Sequence, residues 1–118
     1  MSPELASTVQ VALKRLESWQ WQRLQITEYL SQARGTAAAY DKRLCTESHF
    51  EMTLDTMYIA AEGGVLVLGG KAGTGRVRYQ LTFEKVAAAG CPDDASVYFA
   101  EHFEQVTERL SVIQKPGG

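Results

Sequence analysis

Four residues of the types that bind zinc or perform nucleophilic catalysis lie along the chain: Cys45, His49, Cys91 and His102. Two thiolates and two imidazoles would complete a tetrahedral zinc site, and a cysteine beside a histidine base is a pair used in covalent catalysis. The spacing does not fit a zinc module, because the chain has no Cys-x-x-Cys pair and no close pair of histidines. A cysteine nucleophile is disfavoured because Asp93 and Asp94, beside Cys91, would oppose formation of the thiolate. We therefore predict no metal site and no cofactor, and we expect the cysteines to be free thiols.

The glycine-rich segment 69–75 could in principle hold a phosphate group through its backbone amides. It lacks the first glycine and the hydroxyl of a P-loop, where Val65 and Ala72 stand, and the third glycine of a dinucleotide-binding motif, where Arg78 stands. Both motifs also open a helix, whereas a strand is expected here. We predict a flexible hairpin connection, with weak anion contact through Lys71, Arg76 and Arg78.

Paired carboxylates could act as an acid and a base, but only if they lie close together. Glu51 and Asp55 fall on one strand and would be roughly 13 Å apart. Glu101 and Glu108 are expected on the solvent side of a last helix, where a charged surface is the ordinary explanation. We assign no catalytic residue, which favours a non-enzymatic protein.

Composition limits the class of protein. The 118 residues are 45% apolar and carry a net charge of −2, as expected for one compact domain over residues 1–118. The near-neutral charge disfavours nucleic acid as a partner. The N-terminus does not have the pattern of a secretory signal, and no apolar run is long enough for a membrane helix. We therefore expect a cytoplasmic protein without membrane contact.

The pattern of apolar residues predicts an α+β fold in which two helices flank a small sheet. Residues 1–34 lack Gly and carry apolar residues at helical spacing, so we predict one long N-terminal helix, with Ser2 as its cap. Residues 36–45 are predicted as a short helical turn and residues 47–86 as a three-stranded antiparallel meander, with either a bulge or a more deeply buried strand end after Asp55. Residues 92–114 are predicted as a C-terminal helix packed on the sheet, and residues 115–118 as a frayed tail.

Two tryptophans suggest how such a protein would act. Trp19 and Trp21 are two residues apart, so one face of a helix cannot bury both. We expect Trp21, with Arg23 and Leu24, to form a contact surface. A helix of about 30 residues would extend roughly 45 Å, beyond a domain about 35 Å wide. Either the helix bends or breaks, or its overhang packs on another molecule, for which a second copy is the simplest candidate.

These observations favour a small interaction module that forms a homodimer and acts as a regulator, an inhibitor, or a chaperone-like or immunity-like protein. The alternative is a small-molecule-binding or enzymatic domain. Its pocket would lie between the long helix and the sheet and would be lined by four aromatic residues: Trp19, Tyr58, Tyr79 and Phe83.

Overall fold

The computed structural model of the chain describes residues 1–33, 43–103 and 107–116. In these residues one helix is followed by seven strands. The helix α1 spans Pro3–Ser18, and the strands are Arg23–Ala33 (β1), Arg43–Ala60 (β2), Val65–Ala72 (β3), Gly75–Thr82 (β4), Val86–Gly90 (β5), Ser96–Phe103 (β6) and Thr107–Gln114 (β7). Short 3-10 turns, Ala61–Gly63 and Phe83–Lys85, precede β3 and β5.

The strands form one antiparallel sheet in the order β4-β3-β2-β1-β7-β6-β5. Successive side chains alternate between its two faces. The inner face carries most of the core and is covered by α1, which lies mainly against β5 and β6. The buried stripe of α1 is Val9, Ala12, Leu13 and Leu16. Side chains of β6 and β7 reach the backbone of β4, so the sheet curls until its two ends approach each other. The opposite, convex side is the outer face.

The predicted helix over 1–34 is wrong beyond Ser18. Its start is as expected, since the Ser2 hydroxyl accepts a hydrogen bond from the Leu5 amide. The helix ends because Trp21 adopts a left-handed conformation, with φ of 71°, and its amide donates to the Leu54 carbonyl on β2 at 2.6 Å. A helix of 16 residues extends about 24 Å, so the predicted overhang does not exist.

Residues 23–33, predicted as helix, form β1 because their side chains suit a half-buried strand. Leu24 and Ile26 are fully buried on the inner face, and Thr27 and Tyr29 on the outer face favour extended backbone. The predicted helical stripe included Ile26 and Leu30. A spacing of four residues is about one helical turn and also two strand repeats, so this pair fits either structure.

The predicted C-terminal helix over 92–114 is also wrong, because β6 and β7 occupy this region as neighbouring strands. Val97, Phe99 and Glu101 alternate on the inner face and are all fully buried. The frayed tail was predicted to begin at Lys115, yet its amide still donates to the Ala95 carbonyl at 2.9 Å. The fold is a helix on a seven-stranded antiparallel sheet, rather than a three-stranded meander between two helices.

The region predicted as a meander does form consecutive antiparallel strands, β2, β3 and β4. The predicted bulge is confirmed, because the register between β2 and β3 shifts between Leu54 and Thr56. The predicted flexible connection over 69–75 is mostly strand. Gly70 is required there, since a Cβ would collide with the Thr53 carbonyl. Most of the predicted turn over 36–45 lies outside the described residues, and its last three residues belong to β2.

Within the described part of the chain, no helix is both long enough and apolar enough to cross a membrane.

Candidate functional site

A buried ion pair lies inside the curled sheet, between β6 and β7. The Glu101 carboxylate is fully buried, and it accepts hydrogen bonds from Arg109 Nε at 2.8 Å and Arg109 Nη2 at 3.0 Å. The Arg109 guanidinium is 20% exposed and lies over the rings of Tyr79 and Phe103, at 5.3 and 5.5 Å from their centroids. Burial acts to lower the pKa of Arg109, but the hydrogen bonds and charge of Glu101 outweigh it, and the pKa is raised.

The same pair holds the edge strand β4. Glu101 Oε2 accepts a hydrogen bond from the Thr82 amide at 2.9 Å, and Arg109 Nη2 donates to the Gln80 carbonyl at 2.6 Å. An edge strand has backbone groups without a neighbouring strand, and here two side chains take the place of that strand. We call Glu101 and Arg109 the clamp, because they join β4 to β6 and β7.

Tyr79 extends this network across the interior. Its hydroxyl lies 2.6 Å from the hydroxyl of Ser111 and donates to Glu28 at 3.1 Å. Burial raises the pKa of Tyr79 to about 12, so the phenol stays protonated near neutral pH. The Tyr79 phenol and the Glu101 carboxylate are both suited to holding strands together, and we assign neither of them a catalytic role.

The outer face of β5, β6, β7 and β1 is apolar, although it faces away from the helix and the core. Six side chains, all at least partly exposed, form what we call the apolar outer face: Tyr29, Ala88, Tyr98, Ala100, Leu110 and Val112. Tyr29 is 42% exposed. Its hydroxyl is hydrogen-bonded to Glu47, which raises the pKa of the phenol. The Tyr98 ring lies over Gly90, where a Cβ would come within 2.7 Å of the ring.

The other half of the outer face, on β2, β3 and β4, is polar; we call it the basic half after the three cations on β3 and β4, although β2 carries Glu47, Glu51 and Asp55 on the same face. Lys71, Arg76 and Arg78, the residues predicted for anion contact, all lie there on neighbouring strands. Arg76 is committed to Asp55 through two hydrogen bonds of 2.7 and 2.9 Å. These bonds, with one from Thr56, lower the pKa of Asp55 to about 2. Arg78 donates to the Tyr58 hydroxyl at 2.9 Å.

The three residues predicted for an interface do not share one surface. Trp21 is 70% exposed and lies in the turn between α1 and β1. Arg23 is also exposed and forms an ion pair with Glu51 at 2.6 Å. Leu24 is fully buried in the core, so it is unavailable to a partner in this fold.

The four aromatic residues predicted to line a pocket are also separated. Trp19 and Tyr79 are buried members of the core cluster, and Phe83 packs against that cluster from the 3-10 turn before β5. Tyr58 lies on the outer face, where it is partly exposed. The structure therefore does not bring these four side chains together around one cavity.

Of the residues considered for metal binding or nucleophilic catalysis, Cys45 and His49 lie on β2, Cys91 follows β5, and His102 lies on β6. Cys45 and Cys91 are both free thiols. His49 Nδ1 is 3.3 Å from the Thr27 hydroxyl, and His102 is exposed on β6. In the described residues, no three or more His, Cys, Asp or Glu side chains are grouped as metal ligands.

Two groups of residues escaped the sequence reasoning: the clamp and the apolar outer face. Glu101 was placed on the solvent side of a helix, and Leu110 in the core stripe of the same helix. The inner positions Arg109, Ser111 and Ile113 are charged, polar and apolar in turn, so they show no period of two that could have revealed the strand.

The chain matches no protein-family model, no curated protein and no solved structure in the comparisons made with each.

Proposed function

We propose that the protein is a small, non-enzymatic interaction module that self-associates through its apolar outer face. The observation that carries the proposal is the pattern of side chains on that face. A sheet with one face on the core normally alternates apolar and polar residues along each strand. The middle outer positions of β6 and β7, Tyr98, Ala100, Leu110 and Val112, are apolar as well, whereas the outer positions of β4 are polar. Apolar surface of this kind is typical of contact sites.

A second copy of the chain is the occupant that we propose. Packing sheet on sheet is a common way to cover an apolar sheet face, and a two-fold axis would set the same rows of side chains against each other. The net charge of −2 gives little repulsion between copies. The regulatory, inhibitory or chaperone-like role expected from the sequence would depend on this association.

The size of the face sets the expected affinity. Four strands about 4.8 Å apart, with outer side chains every ~6.7 Å over two rows, give a face of roughly 260 Å². A standard interface buries about 800 Å² on each partner. We therefore expect a weak monomer–dimer equilibrium, with a dissociation constant in the range of about 100 µM to 1 mM.

Sedimentation velocity over that concentration range tests the proposal. Leu110→Lys places a charge at the centre of the face, and it should leave the chain monomeric at every concentration. Gln80→Lys adds the same charge on the polar half of the outer face and should leave the equilibrium unchanged. Trp21→Ser should also leave it unchanged, since Trp21 precedes β1, and the first residue of β1, Arg23, already lies six positions from Tyr29, roughly 20 Å away.

A wild-type chain that stays monomeric throughout would refute self-association. Equal dimerisation of Leu110→Lys and wild type would show that another surface is used, and loss of dimers in Trp21→Ser would favour the surface expected from the sequence.

A further inference from the structure

A hollow on the basic half of the outer face lies above Gly69 on β3. Gly69 pairs with Thr56 on β2 and with Arg78 on β4. Because it has no side chain, the neighbouring side chains enclose a space of about 290 Å³. Gly69 and Val67, both buried, form the floor, and the rim includes Tyr58 and Arg78.

The bulge on β2 shapes one side of this hollow. The register shift between Leu54 and Thr56 leaves Asp55 without a partner on β3. Asp55 is thereby free to accept both hydrogen bonds from Arg76 and one from the Thr56 hydroxyl at 2.8 Å. Arg76 is thus held along one wall of the hollow, and its charge is balanced by the carboxylate.

Arg78 on the opposite strand is not balanced in this way. Among the described residues, its guanidinium has one hydrogen-bond partner, the neutral Tyr58 hydroxyl, and no carboxylate. Lys71, Arg76 and Arg78 against Asp55 give these four residues a net charge of +2. A guanidinium with free N–H groups beside a hollow is suited to a carboxylate or a phosphate group, either of which it can bind through two parallel hydrogen bonds.

We infer that this hollow binds a small organic anion, a carboxylate or a phosphate monoester with a flat apolar body. The oxyanion would accept hydrogen bonds from Arg78, and the apolar body would lie on Val67 and Gly69 beside the Tyr58 ring. The volume is at the lower end for ligand pockets, which favours a metabolite-sized molecule over a polymer. This inference is independent of self-association, because the hollow and the apolar outer face lie on different strands.

The test is a titration of the full chain with benzoate and with phenyl phosphate, each up to about 20 mM. Binding is monitored by the change in amide chemical shifts. Shifts should concentrate at Thr56, Gly69 and Arg78. Inorganic phosphate serves as a probe without an apolar body, and it should bind at least severalfold more weakly than phenyl phosphate. Whichever of the two organic probes binds more tightly identifies the oxyanion.

Three variants separate the site from general charge attraction. Arg78→Gln should weaken binding about tenfold, because it removes a charge-assisted hydrogen bond. Gly69→Ala should weaken binding severalfold by filling the floor. The added Cβ would lie 3.4 Å from Thr56 Cβ and 3.7 Å from Arg76 Nη2, which are ordinary contacts, so this variant should fold. Arg23→Gln removes an exposed arginine of the same face outside the hollow, and it should change binding less than about twofold.

Several outcomes would overturn the inference. These are no binding of either organic probe, equal weakening in Arg78→Gln and Arg23→Gln, and unchanged binding in Gly69→Ala. If inorganic phosphate bound as tightly as phenyl phosphate, the hollow would not recognise the apolar body of the ligand. Tighter binding of a short single-stranded oligonucleotide than of either small probe would assign the surface to nucleic acid instead.

Discussion

Replacing Glu101 by leucine is the most direct test of how the curled sheet is held together. The carboxylate is fully buried, and it accepts three hydrogen bonds: two from Arg109, at 2.8 and 3.0 Å, and one from the Thr82 amide at 2.9 Å. Leucine has a similar volume but accepts none of them. The substitution therefore leaves a cation and an edge-strand amide without their partner, and it does not create a large cavity.

The expected cost of Glu101→Leu follows from these contacts. Removing one partner of a buried ion pair costs about 3 to 5 kcal/mol. Arg109 is 20% exposed and keeps Glu28 at 3.5 Å, so part of its charge can be hydrated or balanced. We therefore expect the lower end, about 3 kcal/mol. A domain of this size is stable by about 5 to 15 kcal/mol, so the variant should fold but lose a large part of its stability.

Urea unfolding measures this loss, and a double-mutant cycle assigns it to the pair. Glu101→Leu should lower the urea midpoint by about 1 to 3 M without changing the slope. Adding Arg109→Leu should cost much less than it does alone, because the two apolar side chains can pack together. We expect a coupling energy of about 2 kcal/mol. The control pair is Arg23 with Glu51, which has a short contact of 2.6 Å but side chains that are 69% and 55% exposed, and its coupling should not be resolvable.

A loss below about 1 kcal/mol in Glu101→Leu, or a coupling within about 0.5 kcal/mol of zero, would refute this reasoning. Either result would mean that Glu101 is hydrated, and hence that β4 does not close against β6 and β7. A coupling for the exposed pair as large as that for the clamp would show that burial is not the cause.

Other predictions concern single groups. Because burial raises the pKa of Tyr79 to about 12, its phenolate absorbance should be missing until pH nears 12. Stability should fall from about pH 10 to 12 as the unfolded chain ionises first. Tyr79→Phe should reduce that fall, leaving the part due to Tyr29, whose pKa is also raised. Arg76→Met should raise the pKa of Asp55 from about 2 towards 3.8 in a carboxyl NMR titration, and the stability that wild type loses as pH drops from about 4 to 2 should shrink. Ala61 has a left-handed φ of 51°, so Ala61→Gly should raise the unfolding free energy by up to about 1 kcal/mol in urea.

The β2–β4 region could be predicted from the sequence because each of its faces has a consistent character. Tyr79 and Leu81 point inwards while Arg78 and Gln80 point outwards, so the period of two is plain in the residue types. The bulge was visible for the same reason, since the apolar residues of β2 change phase after Asp55. Where one face is apolar and the other polar, the pattern alone specifies the strand.

The β6–β7 region could not be predicted in this way, because each of its two faces mixes apolar residues with polar or charged ones. Glu101 and Arg109 face inwards as a buried pair, while Leu110 and Val112 face outwards. Their mixture erases the period of two and leaves apolar residues three and four apart, as on a helix. The clamp depends on two charged residues meeting across neighbouring strands, which becomes visible only when the register is known.

This mixture of residue types on β6 and β7 links the fold to both proposals. A charged pair on the inner face closes the edge strand β4, and this closure curves the sheet so that its outer face is convex. On a convex face the apolar half and the basic half point in different directions, so a second copy on Leu110 would not cover the hollow above Gly69. Binding at one surface should then leave the affinity of the other unchanged, because a coupling requires two states that both sites distinguish. The clamp holds the described sheet in a single state, so neither site can change the affinity of the other.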